Sequence, residues 1–193
     1  MTKIALTYED YAALPNDGKR YELHEGELSV TPSPGRPHQL ILGNLHLILA
    51  PHVRSIGRGE LFLSPFDTIL TKTSVVVPDL VYVDDSRLER VSDRALEGSP
   101  TLAVEIISPY SRTIDRRRKM ALYAAHDVTW YWIVDPDART IEAFRLDGGA
   151  YLLEAKLEGA EPRALPPFSD LLLDPAAIWP SLAVLALREG QTL

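Results

Sequence analysis

Hydrophobic positions along the chain recur with two periods, one helical and one extended, and the helical period predicts three helices. Apolar residues recur at helical spacing in one long stretch, which predicts a helix from Pro37 to Ile56. This apolar stripe consists of Ile41, Leu42, Leu45, Ile48, Leu49, Val53 and Ile56. A second helix is predicted over roughly 112–126, and a short one in "LTYEDYAALP", with Thr7 as its N-cap and Pro15 as its stop.

Alternating or continuous apolar runs, separated by turn residues, predict the strands. The runs predicted as single strands are "GELFLS", "FDTILTK", "SVVVPDLVYVD", "TLAVEIIS" and "TWYWIVDP". Two other stretches predict hairpins, "RYELHEGELSV" around a Glu-Gly turn and "TIEAFRLDGGAYLLEA" around Asp147-Gly148-Gly149. "TPSPGRP" predicts a loop, and the proline-rich region before Pro180 predicts a loop with a short helix. This order predicts an α/β (α+β) fold with a central mixed sheet flanked by helices.

Length and composition limit the class of protein. The 193 residues fit one domain, 1–193, with a core of about 5–180 and a tail from 181 to 193. The apolar "WPSLAVLAL" near the end is expected either to form an interface or to cover the sheet. The absence of cysteine excludes disulfides and thiolate metal sites. Neither a signal peptide nor a run of roughly 18 apolar residues is present, so we expect a soluble, cytoplasmic protein without a membrane partner.

The net charge of −7 bears on the expected partners. A protein that binds nucleic acid by charge alone is usually basic. Any contact with phosphates is therefore expected to use a local basic patch or the help of metal ions.

Two acids stand in apolar runs that are typical of core strands. Asp79 lies in "VVVPDLVYV" and Glu105 in "LAVEII". A buried, unpaired carboxylate costs several kcal/mol or becomes neutral, and a divalent cation shared by two such acids offsets that cost. Mg²⁺ prefers carboxylate oxygens. Pro78 cannot donate a backbone hydrogen bond, which predicts a bulge or an edge at Asp79. The alternative is that both acids lie at strand ends and reach solvent or an arginine.

A basic run follows Glu105 on the predicted helix. Lys119 is four residues after Asp115 and four before Tyr123, so these three side chains share one helix face. A lysine there can reach back toward Glu105, to orient or deprotonate a water or to offset charge in a transition state. The alternative is a simple Asp115–Lys119 pair, with the neighbouring arginines forming a solvated helix face.

These residues resemble a known group of proteins. "PD" followed by an acid 26 positions later (105 − 79 = 26) resembles the PD-(D/E)XK nuclease superfamily. The stretches "YELHEGEL", "VVVPDLVYV" and "LAVEIISPYSRTIDRRRKMALYAAHDVTWYWIVDP" resemble the Uma-type restriction endonuclease family over most of residues 5–180. The resemblance implies a restriction-endonuclease-like core and hydrolysis of phosphodiester bonds with Mg²⁺ or Mn²⁺.

The resemblance also implies roles for individual residues. Asp79 and Glu105 take the places of the metal-binding acids, joined by Glu22 and the Ile106 backbone carbonyl. Ile107 stands where the superfamily has its lysine, and the matching lysine is Lys119 on the following helix. The residues expected to contact phosphate are His38, Arg116 and Arg117, with a core or capping role as the alternative for His38.

The leading hypothesis is therefore a metal-dependent endonuclease that hydrolyses DNA phosphodiester bonds, in which Asp79, Glu105 and Lys119 are catalytic. The alternatives are a non-catalytic binding or assembly module on a nuclease fold, and a nuclease that acts on RNA. DNA is the expected partner, and a homodimer is the expected assembly because soluble oligomers are usually two-fold.

Overall fold

The structure is a computed structural model that describes residues 5–15, 17–108 and 111–181. Its α-helices are α1 (Tyr8–Ala12), α2 (Arg36–Ile56), α3 (Met120–Ala125) and α4 (Pro175–Ile178). A 3₁₀ segment covers Asp85–Arg90, and a π-helical segment, Ile114–Lys119, leads directly into α3. Among the described helices, none is both long and apolar enough to cross a membrane.

Two sheets and one hairpin contain the described strands. The larger sheet has the order β11 (Ala150–Leu157), β10 (Thr140–Asp147), β9 (Trp130–Asp135), β8 (Leu102–Ile106), β6 (Leu80–Val83) and β3 (Glu60–Leu63). The smaller sheet has the order β2 (Glu27–Thr31), β1 (Arg20–His24), β5 (Ser74–Val76), β4 (Asp67–Thr71) and β7 (Ala95–Glu97). The hairpin pairs β12 (Arg163–Leu165) with β13 (Phe168–Leu173).

The larger sheet is mixed, and helices cover both of its faces. β8 runs parallel to β9 and antiparallel to β6. Alternate residues of β8, Leu102, Val104 and Ile106, pack with the apolar stripe of α2. The intervening Ala103, together with Ile107, packs on the side of α3. Because strand side chains alternate between faces, Glu105 emerges on the α3 side.

The long helix follows its predicted bounds closely. α2 begins at Arg36 after Gly35 and ends at Ile56, where the left-handed backbone of the following Gly57 (φ 61°) closes the helix. Within the predicted stripe, Ile56 is exposed because it lies in the last turn. The five buried residues of the stripe are Ile41, Leu42, Leu45, Leu49 and Val53.

The prediction of one strand in "SVVVPDLVYVD" is wrong. The stretch forms β5 in the smaller sheet and β6 in the larger one, and Val77, Pro78 and Asp79 connect them. Pro78 has no N–H to donate to a ladder, so the chain leaves one sheet here and enters the other. Asp79 therefore lies where the two sheets meet.

Two regions that lack a clear apolar pattern nevertheless contain short regular elements. The polar stretch 84–100 includes the 3₁₀ segment and β7. The proline-rich C-terminal region includes the β12–β13 hairpin as well as the short helix α4. The predicted interface or covering role of "WPSLAVLAL" falls mostly on residues 182–187, outside the described part of the chain.

Candidate active site

Four buried acids converge from four different elements around one cavity of about 330 Å³. Glu22 comes from β1, Asp79 from the β5–β6 connection, Glu105 from β8 and Asp115 from the π-helical segment. Each is at most 2% exposed. The loop Thr31–Gly35 and the start of α2 form another part of the cavity wall. The structure thus brings the sequence-predicted acids together and adds Asp115 to them.

Asp79 is held on both carboxylate oxygens. Arg20 donates to Oδ1 at 2.8 Å, and the Ile106 N–H donates to Oδ2 at 2.8 Å. The Nε2 atom of His38 lies 3.0 Å from the same Oδ2. Burial alone would raise the pKa of Asp79, but the contacts with His38 and Arg20 outweigh it and lower the pKa. Asp79 is therefore an ionised acid of fixed orientation.

Glu105 accepts two short hydrogen bonds on one oxygen. Lys119 Nζ lies 2.8 Å from Oε1, and the Tyr123 hydroxyl donates to the same atom at 2.7 Å. The other oxygen, Oε2, has the Arg20 guanidinium at 3.6 Å. Burial raises the pKa of Glu105 to about 8, and the nearby Asp115 and Asp79 carboxyls add to this effect against the opposing charge of Lys119.

Glu22 is anchored through the chain connection that carries Asp79. Its Oε1 accepts from the Val77 N–H at 2.9 Å and lies 2.9 Å from Lys119 Nζ. The Nε2 atom of His24 is 3.4 Å from Oε2. Burial would raise the pKa of Glu22, but Lys119, His24 and Arg20 together lower it. Glu22 thus joins the cluster as a second ionised acid.

Lys119 is a fixed cation between the acids. Its amine contacts Glu22 and Glu105 and lies 3.7 Å from Asp115 Oδ1. Burial alone would lower the pKa of Lys119, but these carboxylates outweigh burial and raise it. A lysine in this environment stays protonated, which favours an electrostatic role over removal of a proton from water.

Arg20 is the residue that the sequence reasoning missed. Its guanidinium reaches Asp79 and approaches Glu105 and Glu22 at 3.6 and 3.8 Å. One signal was present in the sequence, because Arg20 lies two positions before Glu22 in a predicted strand, and such residues share a face. Which acids that face meets depends on the neighbouring sheet.

The charges of the cluster do not balance. Four carboxyl groups line the cavity. Among the described residues, Arg20 and Lys119 are the only arginine and lysine that line it. With every acid ionised, the cluster is two positive charges short. Glu105 and Asp115 are the two of these four acids whose pKa is raised, in both cases chiefly by burial, which favours their neutral, protonated forms. One divalent cation would supply the two missing positive charges.

The donor set fits a hard divalent ion by its chemistry. Carboxylate oxygens from Asp79, Glu105 and Glu22 surround the cavity, and Ile106 also lines it. Mg²⁺ and Mn²⁺ prefer such oxygen ligands. No ready-made cage of three acidic or histidine side chains exists in the described ranges. Arg20 and Lys119 are instead paired with these acids.

The remaining predicted contacts divide between the cavity and the outer surface. His38 lines the cavity beside Asp79. Arg116 is paired with Glu142 at 2.6 Å and lies 3.7 Å from Asp135, and Arg117 is exposed. Neither arginine is among the described residues that line the cavity.

Comparison with known proteins agrees with this architecture. A mixed sheet with helices on both faces and a cluster of buried acids beside its interior strand β8 is a restriction-endonuclease-like arrangement. The model of the Uma2 family, described as "Putative restriction endonuclease", matches residues 8–176. The chain therefore belongs to this family, which confirms the resemblance seen in the sequence.

A solved structure shares the fold. It is that of a protein from Anabaena variabilis ATCC 29413, described as "a putative nuclease belonging to DUF820". The TM-score is 0.72 and the sequence identity 20%, over 90% of this chain and 97% of the other. At this identity the match demonstrates the fold. A search of curated proteins found no significant match.

Proposed function

We propose that this protein is a metal-dependent endonuclease that hydrolyses DNA phosphodiester bonds. One observation carries the proposal: Asp79, Glu105 and Glu22 meet Lys119 inside a single cavity although they come from separate elements. Buried acids with opposing pKa shifts in a cavity are typical of functional sites. The family description supports a nuclease and, through the term restriction endonuclease, DNA as the substrate.

In this proposal, Asp79 and Glu105 hold the metal ion, with Glu22 and the Ile106 carbonyl as additional ligands. A bound Mg²⁺ or Mn²⁺ supplies Lewis-acid stabilisation and a more acidic water. The Ile106 N–H and His38 fix the orientation of Asp79, as their contacts with Oδ2 indicate. Such contacts set the position of a metal-binding group before substrate arrives.

Lys119 and Tyr123 fix the orientation of the Glu105 carboxyl group. Both donate to Oε1, which directs the other oxygen, Oε2, toward Arg20. Burial would lower the pKa of Lys119, but the Glu105 and Glu22 carboxylates raise it, so the amine keeps its positive charge. A fixed cation beside the reacting phosphate stabilises the negative charge that develops in the transition state.

Cleavage of supercoiled plasmid in Mg²⁺ or Mn²⁺ tests the proposal. We expect nicking that EDTA abolishes, and a loss of at least about 100-fold in Asp79→Asn and Glu105→Gln, since each removes one charged oxygen ligand. Asp135→Asn is the matched control, because Asp135 is also buried and paired with an arginine, Arg112, but does not line the cavity. This variant should keep its activity.

Other results of this assay discriminate between the functions. Equal loss in all three variants would mean that buried acids matter only for folding. Activity retained in Glu105→Gln would reject the proposed site. Cleavage of RNA but not of DNA, under the same metal dependence, would change the substrate. The absence of both metal binding and cleavage would favour a binding module on a nuclease fold.

A further inference from the structure

Arg20 is the outer cation of the cluster. Its side chain is 17% exposed, whereas that of Lys119 is 3% exposed. The guanidinium lines the cavity and lies among acids from three elements, Glu22, Asp79 and Glu105. Arg20 is thus the more exposed of the two cations that contact these acids.

The contacts of Arg20 are less complete than those of Lys119. Only the contact with Asp79, at 2.8 Å, is a hydrogen bond, and the distances to Glu105 and Glu22 are 3.6 and 3.8 Å. The buried Nε atom has no hydrogen-bond partner. Lys119, in contrast, has two acids within 2.9 Å. Arg20 is therefore the cation that can leave the cluster at the lower cost.

The atoms that Arg20 approaches are also the ones most suited to a metal ion. Of the hydrogen bonds to the Asp79 carboxylate, the one from Arg20 goes to Oδ1, whereas those from His38 and the Ile106 N–H go to Oδ2. Glu105 Oε2 points toward Arg20, while Lys119 and Tyr123 occupy Oε1. A guanidinium and a divalent ion cannot both use Oδ1 and Oε2 from the same side.

We propose that the Arg20 guanidinium occupies the place of a cation between Asp79 and Glu105 when no metal is bound. It moves out of this place when a divalent ion binds. This inference rests on the proposed function, because it concerns the same metal site. Arg20 then supplies Asp79 with a counter-charge while no metal is bound. It also makes metal affinity the result of a competition with an internal side chain.

Calorimetric titration with Mn²⁺ tests this competition directly. We expect Arg20→Gln to bind Mn²⁺ at least about tenfold more tightly than the unmodified protein, since the hydrogen bond to a charged group no longer has to be broken. Arg20→Lys, which keeps the charge but loses the planar fork, should show a smaller gain. Arg112→Gln is the control, because Arg112 pairs with the buried Asp135 away from the cavity, and its affinity should be unchanged.

Thermal unfolding gives a second readout that is independent of catalysis. Without metal, Arg20→Gln should unfold at a lower temperature than the unmodified protein, because its acids lose a counter-charge. Saturating Mn²⁺ should raise the unfolding temperature of Arg20→Gln by more than it raises that of the unmodified protein.

The results separate this inference from the proposed function. Mn²⁺ binding that is unchanged or weaker in Arg20→Gln would overturn the displacement of Arg20 and leave the metal site standing. Failure of both proteins to bind Mn²⁺ would reject the metal-dependent function itself. Should Arg20→Gln not fold, the ¹⁵Nε signal of Arg20 in the unmodified protein decides, with Arg20→Lys used to assign it. The signal should shift on saturation with Mg²⁺, and an unchanged signal would overturn the inference.

Discussion

Lys119 and Arg117 are two residues apart in the same π-helical segment, yet their environments are opposite. Lys119 is buried among Glu22, Glu105 and Asp115, whereas Arg117 is exposed. Breaking a buried ion pair by removing one partner leaves the other charge unpaired in a medium that solvates it poorly. The same change at the surface has little effect, because water replaces the lost contact.

We therefore expect Lys119→Met to lower the free energy of unfolding by about 3–5 kcal/mol. Arg117→Met, the matched change in the same segment, should alter it by less than about 0.5 kcal/mol. Urea denaturation of the two variants beside the unmodified protein measures both values. Similar losses in the two variants would show that Lys119 is not the buried counter-ion of the acids.

The connection from α2 to β3 fixes the edge of the larger sheet. Gly59, just before β3, has φ 81°, and a Cβ atom there would lie 2.2 Å from the Val83 carbonyl oxygen. Gly57, two residues earlier, also has a positive φ of 61°, but a Cβ atom there meets nothing within 4 Å. Gly59 is thus required by close packing against the end of β6, and Gly57 only by its backbone conformation.

We expect Gly57→Ala to lower the free energy of unfolding by about 1 kcal/mol, the cost of a left-handed residue. Gly59→Ala should lower it by about 3 kcal/mol or more, because the backbone around Val83 must also move. Chemical denaturation of the pair checks the difference. An equal cost in both variants would mean that β3 can shift away from β6 without loss.

The charge deficit of the acid cluster should affect the stability of the whole molecule. Burial, together with the nearby carboxyls, raises the pKa of Glu105 from its ordinary value of 4.5 to about 8 in the folded protein. Between these two values the folded protein holds a proton that the unfolded chain has released. The stabilisation is therefore complete below pH 4.5 and is lost as the pH rises through about 8. Glu22 and Asp79, whose pKa values are lowered, change the stability only at lower pH, where their stabilisation is lost as they become protonated.

We expect the free energy of unfolding of the metal-free protein to fall by up to about 1.4 kcal/mol per pH unit over this window. Urea denaturation in EDTA at pH 5, 6, 7 and 8 measures the slope. Glu105→Gln, which cannot titrate, should flatten it. A slope that stays the same in Glu105→Gln would assign the proton to another group.

Much of the site followed from local pattern. Asp79 and Glu105 were recognisable because each interrupts an apolar run, and Lys119 because helical spacing places it with Asp115 and Tyr123. The long helix and both predicted hairpins also followed from period and turn residues, which depend on neighbours within a few positions. These features were predictable because steric and burial preferences of nearby residues suffice to define them.

The tertiary structure decided which charges meet. The split at Pro78 sends β5 and β6 to different sheets, and the order of those sheets brings Arg20 of β1 onto Asp79. The same packing directs Arg116 to Glu142, away from the cavity. Such pairs join residues that are distant in sequence, such as Arg20 and Asp79, so no local period contains them. The sequence alone determined which residues are unusual for a core, and only the packing of the two sheets decided which cation accompanies each of them.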